Sequence, residues 1–129
     1  MNTRKGFTLV ELLVVIAILA ILATVSVVGY TAFINSADDG AALSELSSVK
    51  TFMEGYDLTA GNRDGKVSIE EIEAAVADTT TEVSAKKDNI TCNEEKNVVI
   101  YQTKNANGDV TGSAYWDLTT NTLTQGEYK

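Results

Sequence analysis

The sequence predicts an α+β protein in which a long N-terminal α-helix packs on a small head made of a short helix and an antiparallel β-meander. Three observations predict this class. A long uncharged segment begins after Glu11, apolar residues at helical spacing follow it, and β-rich segments occupy the C-terminal third. With 129 residues, the chain has the length of one ordinary domain, ~100–200 residues. We expect a hydrophobic helix over 7–34 and a head over 35–129, which includes the second half of the long helix.

The first half of the predicted helix is apolar enough to cross a membrane. No charged residue follows Glu11 until Asp38, and most of this stretch is apolar. The hydrocarbon core of a bilayer needs ~20 mostly apolar residues in a helix to span it. Arg4 and Lys5 precede the stretch. Because positively charged flanks stay in the cytoplasm, the head is expected outside the cytosol.

Three interpretations of the apolar segment are open at this point. A cleaved secretory signal peptide has a basic start, an apolar core of ~7–15 residues and an A-x-A-like cleavage site. Here the apolar run is longer, and no such site follows it before Asp38. The segment can also be a plain transmembrane anchor. In the third interpretation Glu11 has a function of its own, because a charge in a membrane segment costs free energy.

The second half of the helix has the pattern of an amphipathic helix. Apolar residues recur there at spacings of three and four, which places them on one helical face. They are Leu43, Leu46, Val49, Met53 and Tyr56. The segment Asp38–Gly40 is a weak point, yet we predict a continuous helix from Phe7 to about Tyr56. Such a helix is ~75 Å long at a rise of about 1.5 Å per residue.

The remainder of the head begins with a predicted short helix. Ser68, followed three residues later by Glu71, is a capping-box signal, and the segment IEEIEAAVA after Ser68 has helical character. The polar stretch from Thr79 to Asn97 is harder to assign. We expect a short strand there, near Glu82–Ser84.

Three predicted strands complete the head as an antiparallel meander. Asn107-Gly108 is a strong hairpin signal between the first two strands, and a second turn over Thr119–Asn121 leads into the third. Along the middle strand apolar and polar residues alternate. One face of this strand, which includes Trp116, should therefore pack against the amphipathic half of the helix. The strands are predicted at Asn97–Thr103, Val110–Leu118 and Thr122–Tyr128.

The composition excludes several functional classes. The chain has no histidine, no proline and one cysteine, Cys92, so it can form neither a histidine-based triad nor an intrachain disulfide. Its formal net charge of −8 argues against nucleic-acid binding. The sequence shows no constellation of a nucleophile with its base and no glycine-rich phosphate loop. We therefore expect that the protein is not an enzyme.

The segment from Lys5 to Leu12, KGFTLVEL, directly precedes the long apolar run. It resembles the N-terminus of type IV pilins and of type II secretion pseudopilins, and the resemblance covers roughly the first quarter of the chain. The resemblance implies a pilin-like fold. It also implies a leader peptide over 1–6, which a prepilin peptidase removes by cutting after Gly6, and methylation of the new N-terminal residue, Phe7.

The resemblance also implies a role for Glu11 in assembly. In the family, the matching glutamate pairs with the methylated N-terminal ammonium of a neighbouring subunit in the filament core. An α-amino group has a pKa of ~7.7–8.0, so the amine of Phe7 would be largely cationic at neutral pH. Two opposite charges in a dry core can offset each other, whereas either one alone costs several kcal/mol. The other interpretation is that Glu11 lies at headgroup depth and is solvated.

The function implied by the resemblance is that of a structural subunit of a type IV pilus-like filament. The precursor would be a single-pass protein of the cytoplasmic membrane, and the assembled subunit would lie in a filament at the cell surface. The implied partners are identical or homologous pilin subunits, the prepilin peptidase and the pilus assembly machinery, with no nucleic acid. One alternative is a pseudopilin of a type II secretion or DNA-uptake system. Another is a membrane-anchored or secreted calcium-binding module.

The chain departs from the pattern of this family within the apolar helix. Many relatives carry a proline at the position of Val28. Here the segment Thr24–Gly29 gathers β-branched residues, serine and glycine, which are poorer helix formers than the Leu/Ala run before them. In a membrane the backbone should stay helical. In a packed filament we expect the helix to loosen at this segment.

A candidate calcium site lies in the head. The segment Asn62–Glu71 resembles part of an EF-hand loop, with Gly65 at the sharp turn. Its expected oxygen ligands are Asn62, Asp64, Ser68 and Glu71. The first ligand position holds Ala60 in place of an aspartate, which should weaken binding. In the interpretation without metal, the same residues form a turn followed by a helix cap. No other cofactor is expected.

Overall fold

The computed structural model describes residues 6–60 and 64–129, and for residues 57–60 it describes the backbone only. The basic residues Arg4 and Lys5 and the calcium candidate Asn62 lie outside the described residues. The chain divides into two compact units, one ending at Ile34 and the other, the head, comprising Asn35–Lys129. The fold is α+β and pilin-like, as predicted, with a long N-terminal helix, short helices and an antiparallel sheet.

The long helix, α1, spans Leu9–Ala60 and is 52 residues long, which confirms that the predicted helix is continuous. It begins at Leu9 and not at the predicted Phe7, and it continues past Tyr56. The segment Asp38–Gly40 does not interrupt it. As far as Ile34, the large apolar side chains are exposed. Beyond that point the buried apolar side chains of α1 are Ala42, Leu46, Val49 and Met53. The helix therefore changes along its length from apolar on all sides to amphipathic, as the sequence pattern predicts.

The first short helix of the head, α2, spans Ile69–Ala77 and begins at the predicted capping box. The backbone N–H of Glu71 donates to Ser68 Oγ over 3.3 Å, and the backbone N–H of Ser68 donates to Glu71 Oε2 over 2.9 Å. Two of the backbone donors that a helix N-terminus leaves unpaired are satisfied in this way. The apolar face of α2 is buried and contains Ile69, Ile72 and Ala75.

A second short helix, α3, spans Glu82–Ala85, so the strand predicted near Glu82–Ser84 is wrong. Thr81 caps this helix, because its Oγ1 accepts a hydrogen bond from the backbone N–H of Ser84 over 3.1 Å. The helical turn places Val83 in the core, where it is 1% exposed. A single buried residue in a polar segment has no periodicity, so the pattern could not distinguish a strand from a helical turn.

An antiparallel sheet forms the other layer of the head. In the described residues it has four strands, in the order β1-β2-β3-β4. The predicted meander is confirmed as β2 to β4, and β1 is one strand more than predicted. The additional strand was missed because ITCN is short and lies in a polar stretch. The strands are β1 Ile90–Asn93, β2 Val98–Lys104, β3 Val110–Asp117 and β4 Thr122–Gln125.

The core of the head lies between the sheet and the helices, and Trp116 is its largest fully buried side chain among the described residues. Trp116 faces Val99 across β3 and β2 and is 1% exposed. Its indole Nε1 donates to Asn121 Oδ1 over 3.0 Å. Asn121 holds a left-handed φ of 56° in the turn between β3 and β4, a conformation that asparagine tolerates. The same core contains Leu46, Val49, Met53, Ile72 and Val83, which confirms that the Trp116 face packs on the amphipathic half of α1.

Within the head, β3 passes close to α1 at Asp38 and Asp39. A β-carbon on Gly112 would overlap the backbone carbonyl of Asp38, so this position requires the absence of a side chain. The neighbouring backbone N–H of Ser113 donates to Asp39 Oδ1 over 2.8 Å. These contacts fix the position of β3 on the helix.

Candidate functional site

The N-terminal segment identified from the sequence has exposed, non-helical backbone. Gly6, Phe7 and Thr8 precede the first helical residue, Leu9. The side chain of Phe7 is 89% exposed. Exposed backbone outside regular structure is where proteolytic cleavage concentrates. The bond between Gly6 and Phe7 is therefore accessible to a processing enzyme.

Thr8 and Glu11 form a capping box at the start of α1. The backbone N–H of Glu11 donates to Thr8 Oγ1 over 3.2 Å, and the backbone N–H of Thr8 donates to Glu11 Oε2 over 3.0 Å. This reciprocal pair sets the first turn of the helix. The sequence analysis did not predict it, although the spacing Thr-x-x-Glu carries the signal. Glu11 thus has a structural role in its own chain, in addition to any role between subunits.

The capping box leaves part of the Glu11 carboxylate open to a partner. Its hydrogen bond within the described residues uses Oε2, and the side chain is exposed. An ionised carboxylate has two oxygens and about four lone-pair positions, so one N–H bond does not saturate it. Glu11 can therefore cap its own helix and accept a bond from a cationic group of another chain at the same time.

The apolar segment that follows presents its side chains to the surroundings. Among the described helices, α1 is the one with the length and composition to cross a membrane, and its most apolar window has a mean hydropathy of 3.0 and is 0% buried. Val25 and Phe33, for example, are 66% and 68% exposed. A helix that is apolar on all sides needs an apolar environment, either lipid or other protein.

Three hydroxyl groups bond to backbone carbonyls in and just after the segment where the sequence predicts loosening. Thr24 Oγ1 donates to Ala20 O over 2.8 Å, and Ser26 Oγ donates to Leu22 O over 2.7 Å. One turn further on, Thr31 makes the same kind of bond to the Val28 carbonyl. Such bonds often bend helices slightly, although the segment is helical here. Loosening in a packed filament stays a prediction, and a filament map with unbroken helix from residue 20 to 32 would contradict it.

The comparison with known families falls on this same N-terminal region. The family model described as the prokaryotic N-terminal methylation motif matches residues 1–27. The chain carries the prepilin signature of type IV pilins and pseudopilins. The signature covers the Gly6–Phe7 bond, Glu11 and the first part of the apolar helix, and it is the signature of a pilin-like or pseudopilin precursor. No solved structure matches the chain.

The side-chain oxygens of the calcium candidates that the structure describes accept local hydrogen bonds from the backbone. Asp64 Oδ1 accepts the backbone N–H of Lys66 over 2.9 Å, and Ser68 and Glu71 bond to each other in the capping box of α2. Gly65 has a φ of 74°, the sharp left-handed turn that the sequence predicts. Within residues 6–60 and 64–129, no group of three or more aspartate, glutamate, cysteine or histidine residues could hold a metal ion. Calcium binding stays a prediction.

Calcium should raise the melting temperature of the full chain in detergent if the loop binds it. A ligand that binds only the folded state stabilises that state by mass action. Asp64→Ala should abolish the shift at millimolar calcium, whereas Glu73→Ala, on the exposed face of α2, should leave it intact. An unchanged melting curve with excess calcium supports the turn and helix cap without metal.

Cys92 lies on β1, within the polar stretch Thr79–Asn97 that is hard to assign from the sequence. It faces Val99 across the sheet, packs against the core and is half-buried. Burial raises the pKa of the Cys92 thiol above its usual range, and the negative charges of Glu73 and Glu94 raise it further. Because the thiolate is the reactive form, the folded protein should keep this cysteine unreactive at neutral pH.

Alkylation should reveal the protection of Cys92. At a pH of about 8, below the ordinary cysteine pKa of ~8.5, iodoacetamide should modify the folded chain far more slowly than the chain in guanidinium. As the pH increases, the unfolded chain should reach its full rate first, since its thiol ionises at the lower pH. Equal rates in the two states across this range would contradict the burial of the thiol.

Proposed function

We propose that the protein is a structural subunit of a type IV pilus-like filament. The precursor is cleaved after Gly6, methylated at Phe7 and polymerised through the apolar part of α1. The role is structural and not catalytic. The observation that carries the proposal is the methylation motif at residues 1–27, which includes the first part of a helix with exposed apolar side chains.

The exposed apolar surface supports the two locations that the proposal needs. Burial of apolar surface stabilises by ~25 cal/mol per Å², so a helix with this surface is strongly favoured in a lipid or protein environment. Before assembly the lipid of the cytoplasmic membrane covers it, with the head outside the cytosol. After assembly the apolar helices of identical or homologous subunits take the place of the lipid in a filament at the cell surface.

The exposed Gly6–Phe7 bond supports processing by a prepilin peptidase. Cleavage there removes Arg4 and Lys5 and creates an N-terminal ammonium at Phe7. That ammonium lies four residues before Glu11, the one acidic residue ahead of Asp38. In the packed core, the open Glu11 oxygen of one subunit accepts a bond from the Phe7 amine of its neighbour, and the two charges offset each other.

A pseudopilin of a type II secretion or DNA-uptake system is the second candidate, since pseudopilins share the signature. It would use the same processing and the same helix, but in a short assembly that remains in the cell envelope. A membrane-anchored or secreted calcium-binding module is the candidate from another class, and it rests on the 62–71 loop only.

The mass of the intact chain isolated from membranes tests the processing step. The proposal expects a chain that begins at Phe7 and carries one additional methyl group. A Gly6→Val precursor, in which a bulky residue occupies the cleavage position, should keep its leader and serve as the uncleaved control. A wild-type chain with residues 1–6 still attached would contradict processing. A soluble head that has lost the whole apolar segment would indicate a signal peptide.

A further inference from the structure

The loop between β2 and β3 is organised by one asparagine. Asn105 Oδ1 accepts the backbone N–H groups of Asn107 over 2.9 Å and of Asp109 over 3.0 Å. The Asn105 carbonyl oxygen accepts the backbone N–H of Gly108 over 3.0 Å. Its Nδ2 donates to Asp109 Oδ2 over 3.1 Å. Asn105 therefore holds the backbone of Asn107, Gly108 and Asp109 in the turn of the hairpin.

The side chain of Asn107, by contrast, is exposed and makes none of the hydrogen bonds found in this loop. It is followed by Gly108, which has a φ of 89° and open space where a β-carbon would stand. Asn107 is the one asparagine in the sequence that precedes a glycine. A following residue with a side chain hinders access to its own backbone nitrogen, and glycine does not.

We propose that Asn107 is a site of spontaneous deamidation and that Asn105 sets its rate. The Gly108 backbone nitrogen attacks Asn107 Cγ, a new C–N bond closes a five-membered succinimide ring, and the side-chain nitrogen departs as ammonia. The attacking nitrogen gives up its proton to solvent base, and the departing amide nitrogen takes up a proton from water as its bond to Cγ breaks. Water then opens the ring at one of its two carbonyl groups, which yields aspartate or isoaspartate. No oxidant or reductant takes part, and asparagine is among the chemically labile residues of proteins.

Asn105 slows this reaction through its side chain, which holds the turn in which the Gly108 N–H donates to the backbone carbonyl of residue 105. The Gly108 nitrogen has to leave the Asn105 carbonyl and lose its proton before it can reach Asn107 Cγ. The two bonds to Asn105 Oδ1 keep the backbone on either side of Gly108 in the turn conformation. Removal of the Asn105 side chain frees this backbone while the reacting residues stay unchanged.

Other asparagines of the head lack this combination. Asn89 Nδ2 donates to Gln102 O over 2.6 Å, Asn121 Oδ1 accepts the indole N–H of Trp116, and each is followed by a residue with a β-branched side chain. The product at Asn107 has a consequence for the fold. It adds a negative charge beside Asp109, and the isoaspartate form lengthens the backbone of the turn that sets the β2–β3 register.

Peptide mapping of the full chain in detergent tests the proposal. After incubation in mildly alkaline buffer, trypsin cleavage behind Lys104 releases residues 105–129, which contain both Asn107 and the internal control Asn121. The proposal expects replacement of the amide by a carboxyl group at Asn107 and not at Asn121. It also expects a rate several-fold higher in Asn105→Ala. The same two chains unfolded in guanidinium should react at equal rates, because the Asn105 hydrogen bonds that slow the reaction exist in the folded loop.

Equal deamidation rates at Asn107 and Asn121 in the folded chain would contradict the proposal that Asn107 is the preferred site. An unchanged folded-state rate in Asn105→Ala would overturn the role of Asn105. A rate difference that persists in guanidinium would also overturn that role, since it would show a local sequence effect and not an effect of the loop structure.

Discussion

Replacement of Glu11 by alanine should leave membrane insertion and leader removal intact, while assembly into fibres fails or slows sharply. Neither early step needs a bond between subunits. In the assembled core, the Phe7 ammonium of each subunit would lose its partner, and removal of one member of a buried ion pair costs ~3–5 kcal/mol. The penalty recurs with every subunit added. The measurement compares cleaved subunit in the membrane with subunit recovered in sheared fibres.

Two further variants separate the charge of Glu11 from its role in the capping box. Glu11→Gln keeps a side chain that can complete the box with Thr8 but removes the negative charge. Thr8→Val keeps the charge and removes the hydroxyl, at a cost of ~0.5–2 kcal/mol for the lost cap. The ion-pair account expects Glu11→Gln to fail in assembly much as Glu11→Ala does, and Thr8→Val to assemble.

If Glu11→Gln assembled into fibres better than Thr8→Val, the ion-pair account would be contradicted. Fibres from Glu11→Gln together with a defect in Thr8→Val would mean that the start of the helix matters and the charge does not. Normal fibre yield from Glu11→Ala would remove any role for this residue in assembly. Improved secretion of a soluble head from Glu11→Ala would favour the signal-peptide interpretation.

Gly112→Ala should lower the free energy of unfolding of the head by about 1–3 kcal/mol or more. Overpacking of a tight contact typically costs this amount, and here the new methyl group meets backbone, which yields less readily than a side chain. Guanidinium unfolding of the full chain in detergent measures the change. The fluorescence of Trp116, the single tryptophan in the sequence, reports on the core that the contact supports.

Gly55→Ala is the matched control for this substitution. Gly55 lies in α1 with open space around the position of the new methyl group, so its replacement should be neutral or stabilising by ~0.5–1 kcal/mol. If the Gly112→Ala and Gly55→Ala variants had the same free energy of unfolding, the result would contradict the close contact between β3 and Asp38.

The long helix could be predicted because its signals extend over many residues. The uncharged run after Glu11 and the spacing from Leu43 to Tyr56 each repeat a pattern several times, and the structure confirms both. The meander was predictable for the same reason along β3. The misses are short elements. β1 and α3 are each a few residues long. The cap from Thr81 sets the helical turn of α3, and pairing with β2, as of Cys92 with Val99, sets β1.

The candidate site was predictable as a motif but not as a geometry. The spacing of Gly6, Phe7 and Glu11 before an apolar run predicts them as site residues, and all three lie within the residues that match the methylation motif. The hydrogen bonds between Thr8 and Glu11 are not among the predictions, because the charge of Glu11 was assigned to a bond between chains and not to the helix cap. The lack of room for a side chain at Gly112 depends on how the sheet packs on α1, which no local sequence pattern predicts.

The mass of this subunit in fibres sheared from the cell surface tests the central proposal most directly. The account predicts that the fibres contain the chain beginning at Phe7, with one methyl group on the new N-terminus and residues 1–6 absent. Sheared material without the subunit, from cells whose membranes hold the processed chain, would contradict a filament subunit and favour the pseudopilin.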